Sequence, residues 1–354
     1  MSAAPDTPAH ETFVLAGRAV PRLFVGLWQL SSPAWGSAPR SRILADFARY
    51  LDAGFTAFDM ADHYGDAELL FMTGAQPAAA AAARSQQGRF RAAQPDPAAV
   101  FCATKYCVFD ARRPQTAAVL RDAVAARLRN THADAVDLLQ YHWQHYDDPQ
   151  YIPALRALQA DARVAALGLC NFDSLRMQEV IDAGIAVATN QVQFSLIDSR
   201  PRYAMEPVCR AHNVKLLTYG TLCGGFLADK WRGKPAPDAF AEGMTPSLRK
   251  YLDMITIWGG WPLFQTLLTA LAAIAAKHGV SVSTVAVRWV LDFPFVGAVI
   301  VGARMGVSHH IRDNLAAYGW SLDHDDRRHI ERVLSQSRRD DVFRDMGDCG
   351  SEYR

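Results

Sequence analysis

The chain has 354 residues, half of them hydrophobic, and its 37 lysines and arginines nearly balance 36 aspartates and glutamates. That balance forces no polybasic surface and argues against nucleic acid as a partner. The longest apolar stretches, such as Leu267 to Ala276, fall short of the roughly 18 residues needed to cross a bilayer, and the first ten residues lack the basic and apolar regions of a secretory signal, so a soluble, cytoplasmic protein without a membrane partner is expected.

In chain order, Leu23 to Trp28 reads as a first strand, and Pro39 to Ala53 as a helix with apolar residues at 43, 44, 47 and 51, stopped by Gly54. A second apolar run from Phe55 ends at Asp59. A helix is expected at 66 to 73, running on into six alanines (Ala78 to Ala83), within a surface insert at about 74–99 in which no chemistry is visible. Strand three is Val100 to Lys105, followed by a helix Pro114 to Leu128 with proline in its first turn. Strand four is Val136 to His142. Then come helix Ile152 to Asp161, strand Val164 to Cys170, helix Ser174 to Ala183, strand Val187 to Gln193, helix Arg202 to His212 and strand Lys215 to Tyr219.

Residues 221–262 carry prolines at 235, 237 and 246, several glycines and aromatics at 231, 240, 251, 258 and 261, too long for a simple connection and too aromatic for a linker, so a loop covering the barrel mouth is expected. Helical patterns at 264–277 and 282–292, an eighth strand Gly297 to Val301, a helix His309 to Ala317 and a tail at about 321–354 complete the chain. The last twelve residues, from Phe343, are charged and either fold back onto the mouth or fray. Eight strands alternating with helices predict a single (β/α)8 TIM barrel, core about 20–320, with a long insertion after strand 7 and a C-terminal tail. A doubly wound nucleotide-binding sheet is the competitor, but no Gly-x-Gly-x-x-Gly follows the first strand.

Asp59, Lys105 and His142 end three successive apolar runs, and Tyr64 stands on the turn five residues beyond Asp59. In a parallel barrel all strands end on one face, where active sites are built, so these four can meet. The six cysteines (102, 107, 170, 209, 223, 349) show no paired spacing and read as reduced thiols. His142 with His145, and His309 with His310, lack the further ligands a metal needs, so no metal is expected.

The segments Asp59-Met-Ala-Asp-His-Tyr64-Gly, Ala103-Thr-Lys105 and Leu138-Leu-Gln-Tyr-His142 resemble the aldo-keto reductases, whose tetrad is Asp, Tyr, Lys and His in this order on these strands. The similarity extends to Gly168-Leu-Cys170-Asn171-Phe172, to Asn190-Gln191-Val-Gln-Phe-Ser195, to Leu217-Thr-Tyr219-Gly-Thr-Leu-Cys-Gly224-Gly225, and to Ile300-Val-Gly302-Ala-Arg304 with Asn314. The resemblance implies Asp59, Tyr64, Lys105 and His142 as catalytic residues. It implies a nicotinamide seat at Cys170, Asn171, Gln191 and Tyr219, a pyrophosphate path at Leu222 and Gly224, and an adenosine site at Gly302, Arg304, His310 and Asn314. Three departures stand out: Cys170 where serine is usual, Val301 where proline is usual, and a spacing from Gly302 to Asn314 two residues longer than the common pattern. Arg304, a planar fork suited to a 2′-phosphate, favours NADPH, with NADH possible. Trp28, Tyr106 and Trp143 are expected to line the substrate pocket.

A tyrosine near its usual pKa of about 10 needs help to act as an acid, and a lowering of about three units corresponds to roughly 4 kcal/mol, which one ammonium at about 4 Å supplies at an effective dielectric near 20. Lys105 is expected to be that cation, oriented by Asp59, while His142 steadies a carbonyl oxygen beside the Tyr64 hydroxyl. The expected activity is NAD(P)H-dependent reduction of an aldehyde, ketone or sugar carbonyl. A sugar or alcohol dehydrogenase running with NAD(P)+ and a non-catalytic nucleotide-sensing regulatory subunit remain as alternatives, and oligomeric state is unassigned.

Overall fold

The computed structural model describes residues 10–68, 96, 99–110, 112–131 and 133–354. The helix expected at 66–73 and the insert at 74–99 lie almost wholly outside these residues. The described chain opens with a hairpin that the sequence reading did not anticipate, β1 (Thr12–Leu15) and β2 (Arg18–Pro21). Ala16 and Gly17 join the two strands, and both have positive φ, the condition for the tight turn that matches strand twist.

Eight strands follow: β3 (Leu23–Gly26), β4 (Ala57–Asp59), β5 (Phe101–Val108), β6 (Leu138–Trp143), β7 (Leu167–Cys170), β8 (Thr189–Gln193), β9 (Lys215–Tyr219) and β10 (Val296–Gly302). They close a barrel in the order β10-β3-β4-β5-β6-β7-β8-β9, every neighbouring pair parallel. This is the expected (β/α)8 architecture. The described helices are α1 (Arg40–Asp52), α2 (Ala117–Thr131), α3 (Tyr151–Gln159), α4 (Ser174–Asp182), α5 (Met205–His212), α6 (Pro246–Trp258), α7 (Gly260–His278), α8 (Val282–Leu291), α9 (Ile311–Leu315), α10 (His324–Leu334) and α11 (Arg339–Met346). Among the described residues no single helix is long and apolar enough to cross a membrane.

The region 221–262 is less irregular than its prolines suggested. Thr245 caps α6 through its hydroxyl, and Pro246 occupies the first helical position, where a missing N–H costs nothing. The tail is also helical: α10 starts in a reciprocal capping box of Asp323 and Asp326, and Lys277 and His278 of α7 bind the same Asp326.

Inside the barrel, side chains alternate. Phe24, Ala57, Phe101, Ala103, Leu138, Leu217 and Ala298 face inward and fill the lower half, closed beneath by Leu15 and Val20 of the hairpin. Their sequence neighbours Val25, Phe58, Cys102, Leu139 and Leu216 face the helices in the outer core. Above the apolar floor comes a polar layer of Asp59, Lys105, Gln140 and Gln191, each at most 3% exposed. Room for it depends on Gly168, since a Cβ there would stand 2.4 Å from the Thr189 hydroxyl and 3.2 Å from Gln140.

Candidate active site

Asp59 is the last residue of β4, and the inward alternation of β5 brings Lys105 to the same level. Its ammonium donates to Asp59 Oδ2 at 2.6 Å and to the Met60 carbonyl at 2.9 Å. The other carboxylate oxygen accepts from Gln140 Nε2 at 2.9 Å and Gln191 Nε2 at 2.8 Å. Both carboxylate oxygens and two of the three ammonium N–H groups thus have partners, the compensation a buried pair requires. Burial opposes the charge on Lys105, but Asp59, Tyr64 and Cys170 together outweigh it and raise the ammonium pKa above its ordinary value. Gln140 was not anticipated, although a polar residue two positions before His142, on the same strand face, could have been flagged by parity alone.

Tyr64 sits on a pinned turn. Asp62 accepts from the Arg127 guanidinium of α2 and from the Cys107 N–H, while Glu68 is held by Thr104 and Asn130. Gly65, at φ +55, turns the chain beneath the Leu30 carbonyl. The Tyr64 ring is 8% exposed, and Lys105 Nζ lies 4.7 Å from its centroid. Here the structure departs from expectation. Burial raises the Tyr64 pKa, and the pull of Lys105 only partly offsets it, because that ammonium is shared with Asp59. The phenol therefore holds its proton in the resting protein, and it gives it up only to a base stronger than phenolate.

His142, on the inner face of β6, is 6% exposed. Burial, with the nearby His63 and Lys105, depresses its pKa from 6.5 to about 4, against the opposing pull of Asp62. The imidazole is neutral at physiological pH, and Asn171 Nδ2 approaches its Nε2 at 3.4 Å. The sign follows: the unfolded chain takes up this proton before the folded one, so His142 erodes stability as pH falls from about 6.5 toward 4. The pH profile of turnover is expected to show no inflection from His142 between pH 5 and 8. A limb centred near 6.5 that vanishes in His142→Gln would contradict it.

The residues expected to hold a dinucleotide lie along the other half of the rim, at the ends of β7, β8, β9 and β10. Asn171, at φ +58, follows Cys170, whose thiol is pushed up to about 12 by burial and so remains neutral. Gln191 gives its amide N–H groups to Asp59 and Gln140, which leaves its carbonyl oxygen for a ligand. Tyr219, partly buried, donates to Asn171 Oδ1 at 2.9 Å. Leu222 and Gly224 form the next turn. A Cβ on Gly224, which has φ +65, would lie 3.1 Å from the Ser247 backbone. At the end of β10, a Cβ on Gly302 would overlap the Gln29 amide at 2.2 Å. Arg304 anchors its Nε on the Trp35 carbonyl at 2.7 Å and is otherwise exposed, and the exposed His310 and buried Asn314 follow on the approach to and within α9. Amide groups at one end, glycine turns in the middle and a fixed exposed guanidinium at the other suit a nicotinamide dinucleotide in donor chemistry and order.

The substrate residues divide. Trp28 follows β3 at the mouth, 40% exposed, its ring 4.5 Å from that of Trp35. Tyr106 and Trp143 do not line the cavity. Each is one residue past an inward-facing side chain, so each points the opposite way. Tyr106 meets Gln115 and Arg127 at the helical layer, and Trp143 stacks on Tyr141 with its indole on the His145 carbonyl. In their place the mouth presents Phe109, 55% exposed and edge-on to His63 and His142, and Tyr353, edge-on to His142 at 5.8 Å. Asp62, His63 and Cys107 also bring ligand atoms within 4.8 Å of one another, but Arg127 already occupies that carboxylate.

A family model described as "Aldo/keto reductase family" matches residues 22–335. Aldo-keto reductase YhdN of Bacillus subtilis (strain 168) is 24% identical over 334 residues, 91% of this chain and 92% of that protein. Among solved structures, glycerol dehydrogenase AKR11B4 from Gluconobacter oxydans superposes with a TM-score of 0.71 at 24% identity, covering 93% of this chain and 96% of that one. An aldo-keto reductase from Klebsiella pneumoniae in complex with NADPH gives 0.63 at 20% identity, covering 92% and 95%.

Proposed function

From the premise that the chain belongs to the aldo/keto reductase family, we propose that it reduces a small aldehyde, ketone or sugar carbonyl to the alcohol, with Tyr64 as proton donor. The observation that supports this most is the convergence of buried Tyr64, Lys105 on Asp59, and His142 above an apolar floor at one end of the barrel. When bound, the reduced dinucleotide supplies the hydride. The protein's own part is to hold the carbonyl oxygen between the Tyr64 hydroxyl and the His142 imidazole and to deliver a proton to it.

As charge builds on that oxygen it becomes a far stronger base than phenolate, so a Tyr64 pKa above the ordinary value still allows transfer. Lys105 then faces the oxygen left behind, and a fixed ammonium in a dry site stabilises developing negative charge without reorganising. Asn171, the free oxygen of Gln191 and the Tyr219 ring would seat the nicotinamide. The Leu222–Gly224 turn would follow the pyrophosphate, and Gly302, Arg304, His310 and Asn314 would take the adenosine end. Trp28, Phe109 and Tyr353 surround the entrance with rings, which suits compact carbonyls with C–H faces to stack.

The test is loss of reduced-nicotinamide absorbance over a panel of aldehydes, ketones and aldoses, run also in reverse with alcohols and oxidised dinucleotide. Turnover of at least one carbonyl is expected. Tight dinucleotide binding without turnover of any carbonyl or alcohol would favour a nucleotide-sensing role instead. For cofactor choice, Arg304→Leu is expected to lower the NADPH over NADH preference in kcat/KM by about 10- to 100-fold, the worth of a charge-assisted hydrogen bond of roughly 1.5–3 kcal/mol. An unchanged ratio would remove Arg304 from the phosphate site.

A further inference from the structure

The segment after α11 returns across the barrel mouth as a strap. Arg200, in the turn after β8, is 1% exposed and grips Asp198 with two bonds of 2.8 and 2.9 Å. Its remaining N–H groups reach the strap: Glu352 at 3.0 and 3.1 Å, and the Asp348 carbonyl at 3.3 Å. Asp348 accepts from the Ser174 N–H at 2.7 Å. Gly350, at φ +82, lies so close to Asn171 that a Cβ would stand 2.1 Å from its carbonyl oxygen. Arg354 adds bonds to Asp173 at 2.9 Å and to that same carbonyl at 3.2 Å. A segment held only to complete the fold would not need to end on the active site.

This one does. The clamp delivers Tyr353 between Tyr219 and His142, and a continuous hydrogen-bond chain results. Lys250 Nζ donates to the Tyr353 hydroxyl at 3.4 Å, and that hydroxyl lies 3.1 Å from the Tyr219 hydroxyl. Tyr219 gives its proton to Asn171 Oδ1 at 2.9 Å, so its oxygen is the acceptor for Tyr353. Asn171 Nδ2 then meets His142 Nε2 at 3.4 Å. The directions follow from Asn171 Oδ1, which can only accept and so takes the single Tyr219 proton, and from Lys250, which can only donate.

We propose that Tyr353 is a positioning residue of this site: from a strap clamped by Arg200, its hydroxyl holds Tyr219 and Asn171 in register with His142. The proposal rests on the reductase reading above. It assigns the strap a part in seating both the dinucleotide, through Tyr219 and Asn171, and the carbonyl, through His142.

The experiment compares the full-length parent with Tyr353→Phe, which deletes one oxygen, and Lys250→Met, which removes the first donor from the solvent side. NADPH affinity is read by quenching of intrinsic tryptophan fluorescence, and kcat and carbonyl KM are read separately. Each variant is expected to weaken NADPH binding and lower kcat by about three- to ten-fold, the net worth of one hydrogen bond, with carbonyl KM moving less than about two-fold. Parent-like affinity and kcat in both variants, or a change confined to carbonyl KM, would overturn the proposal and leave Tyr353 as a wall of the pocket. If Tyr353→Phe does not fold, Lys250→Met decides alone. If the parent reduces no carbonyl, the reductase reading falls, and the affinity comparison still decides the role of Tyr353.

Discussion

Tyr64→Phe is expected to lower kcat by about 10²- to 10⁴-fold, the range associated with loss of a positioned general acid. The substitution removes one oxygen from a ring that is 8% exposed and packed in the outer core, so the fold should survive with little change in Tm. NADPH affinity should stay within about two-fold of the parent, because the residues assigned to the dinucleotide stand at or beyond the ends of β7 to β10 while Tyr64 stands on the turn after β4. Because the phenol pKa is raised in the resting state, protonation itself is not limiting near neutral pH. The loss should therefore appear across the whole neutral range and not as a shifted limb. A variant turning over within about three-fold of the parent would remove Tyr64 from the chemistry.

The barrel was legible because parallel strands buried on both faces read as short apolar runs, and because three of those runs close on Asp59, Lys105 and His142. What the runs did not reveal was facing. β5 continues three residues past Lys105 and β6 one past His142, and in that continuation every second side chain turns away from the cavity. Counting parity from Lys105 would have sent Tyr106 outward and brought in Cys107; counting from His142 would have sent Trp143 outward and brought in Gln140. Pro246 was counted among the prolines of an irregular mouth-covering region, whereas the preceding Thr245 makes it a helix start. The strap was legible only as one of two alternatives for the charged last twelve residues, and its anchor was not legible at all. Arg200 and Glu352 are 152 positions apart, and nothing in either neighbourhood announces that they will share an ion pair in the interior.

In the proposed reductase, two layers of control meet in this site. One is electrostatic and central, the Asp59–Lys105 pair beneath Tyr64. The other is peripheral, the chain of hydroxyls and amides from Lys250 to His142. Both bear on the one carbonyl oxygen held between Tyr64 and His142, and Lys105 also acts on His142, so a substitution in one layer is expected to couple to a substitution in the other.

Lys105→Met puts the central layer to its hardest test. Removing the ammonium leaves the Asp59 carboxylate, its side chain 4% exposed, with Oδ2 stripped of a donor and only Gln140 and Gln191 on Oδ1. An uncompensated buried charge costs about 3–5 kcal/mol, so a clear fall in Tm is expected alongside a loss of at least about 10² in kcat. Stability and chemistry are then separated by adding Asp59→Asn. The asparagine oxygen still accepts from Gln140 and Gln191, no charge remains to be buried, and most of the lost stability should return. The rate should not return, because nothing is left to stabilise negative charge on the Tyr64 oxygen. Thermal melts and kcat measured on the single and double variants decide it: if rate and Tm recovered together, Lys105 would be serving the fold and not the proton transfer.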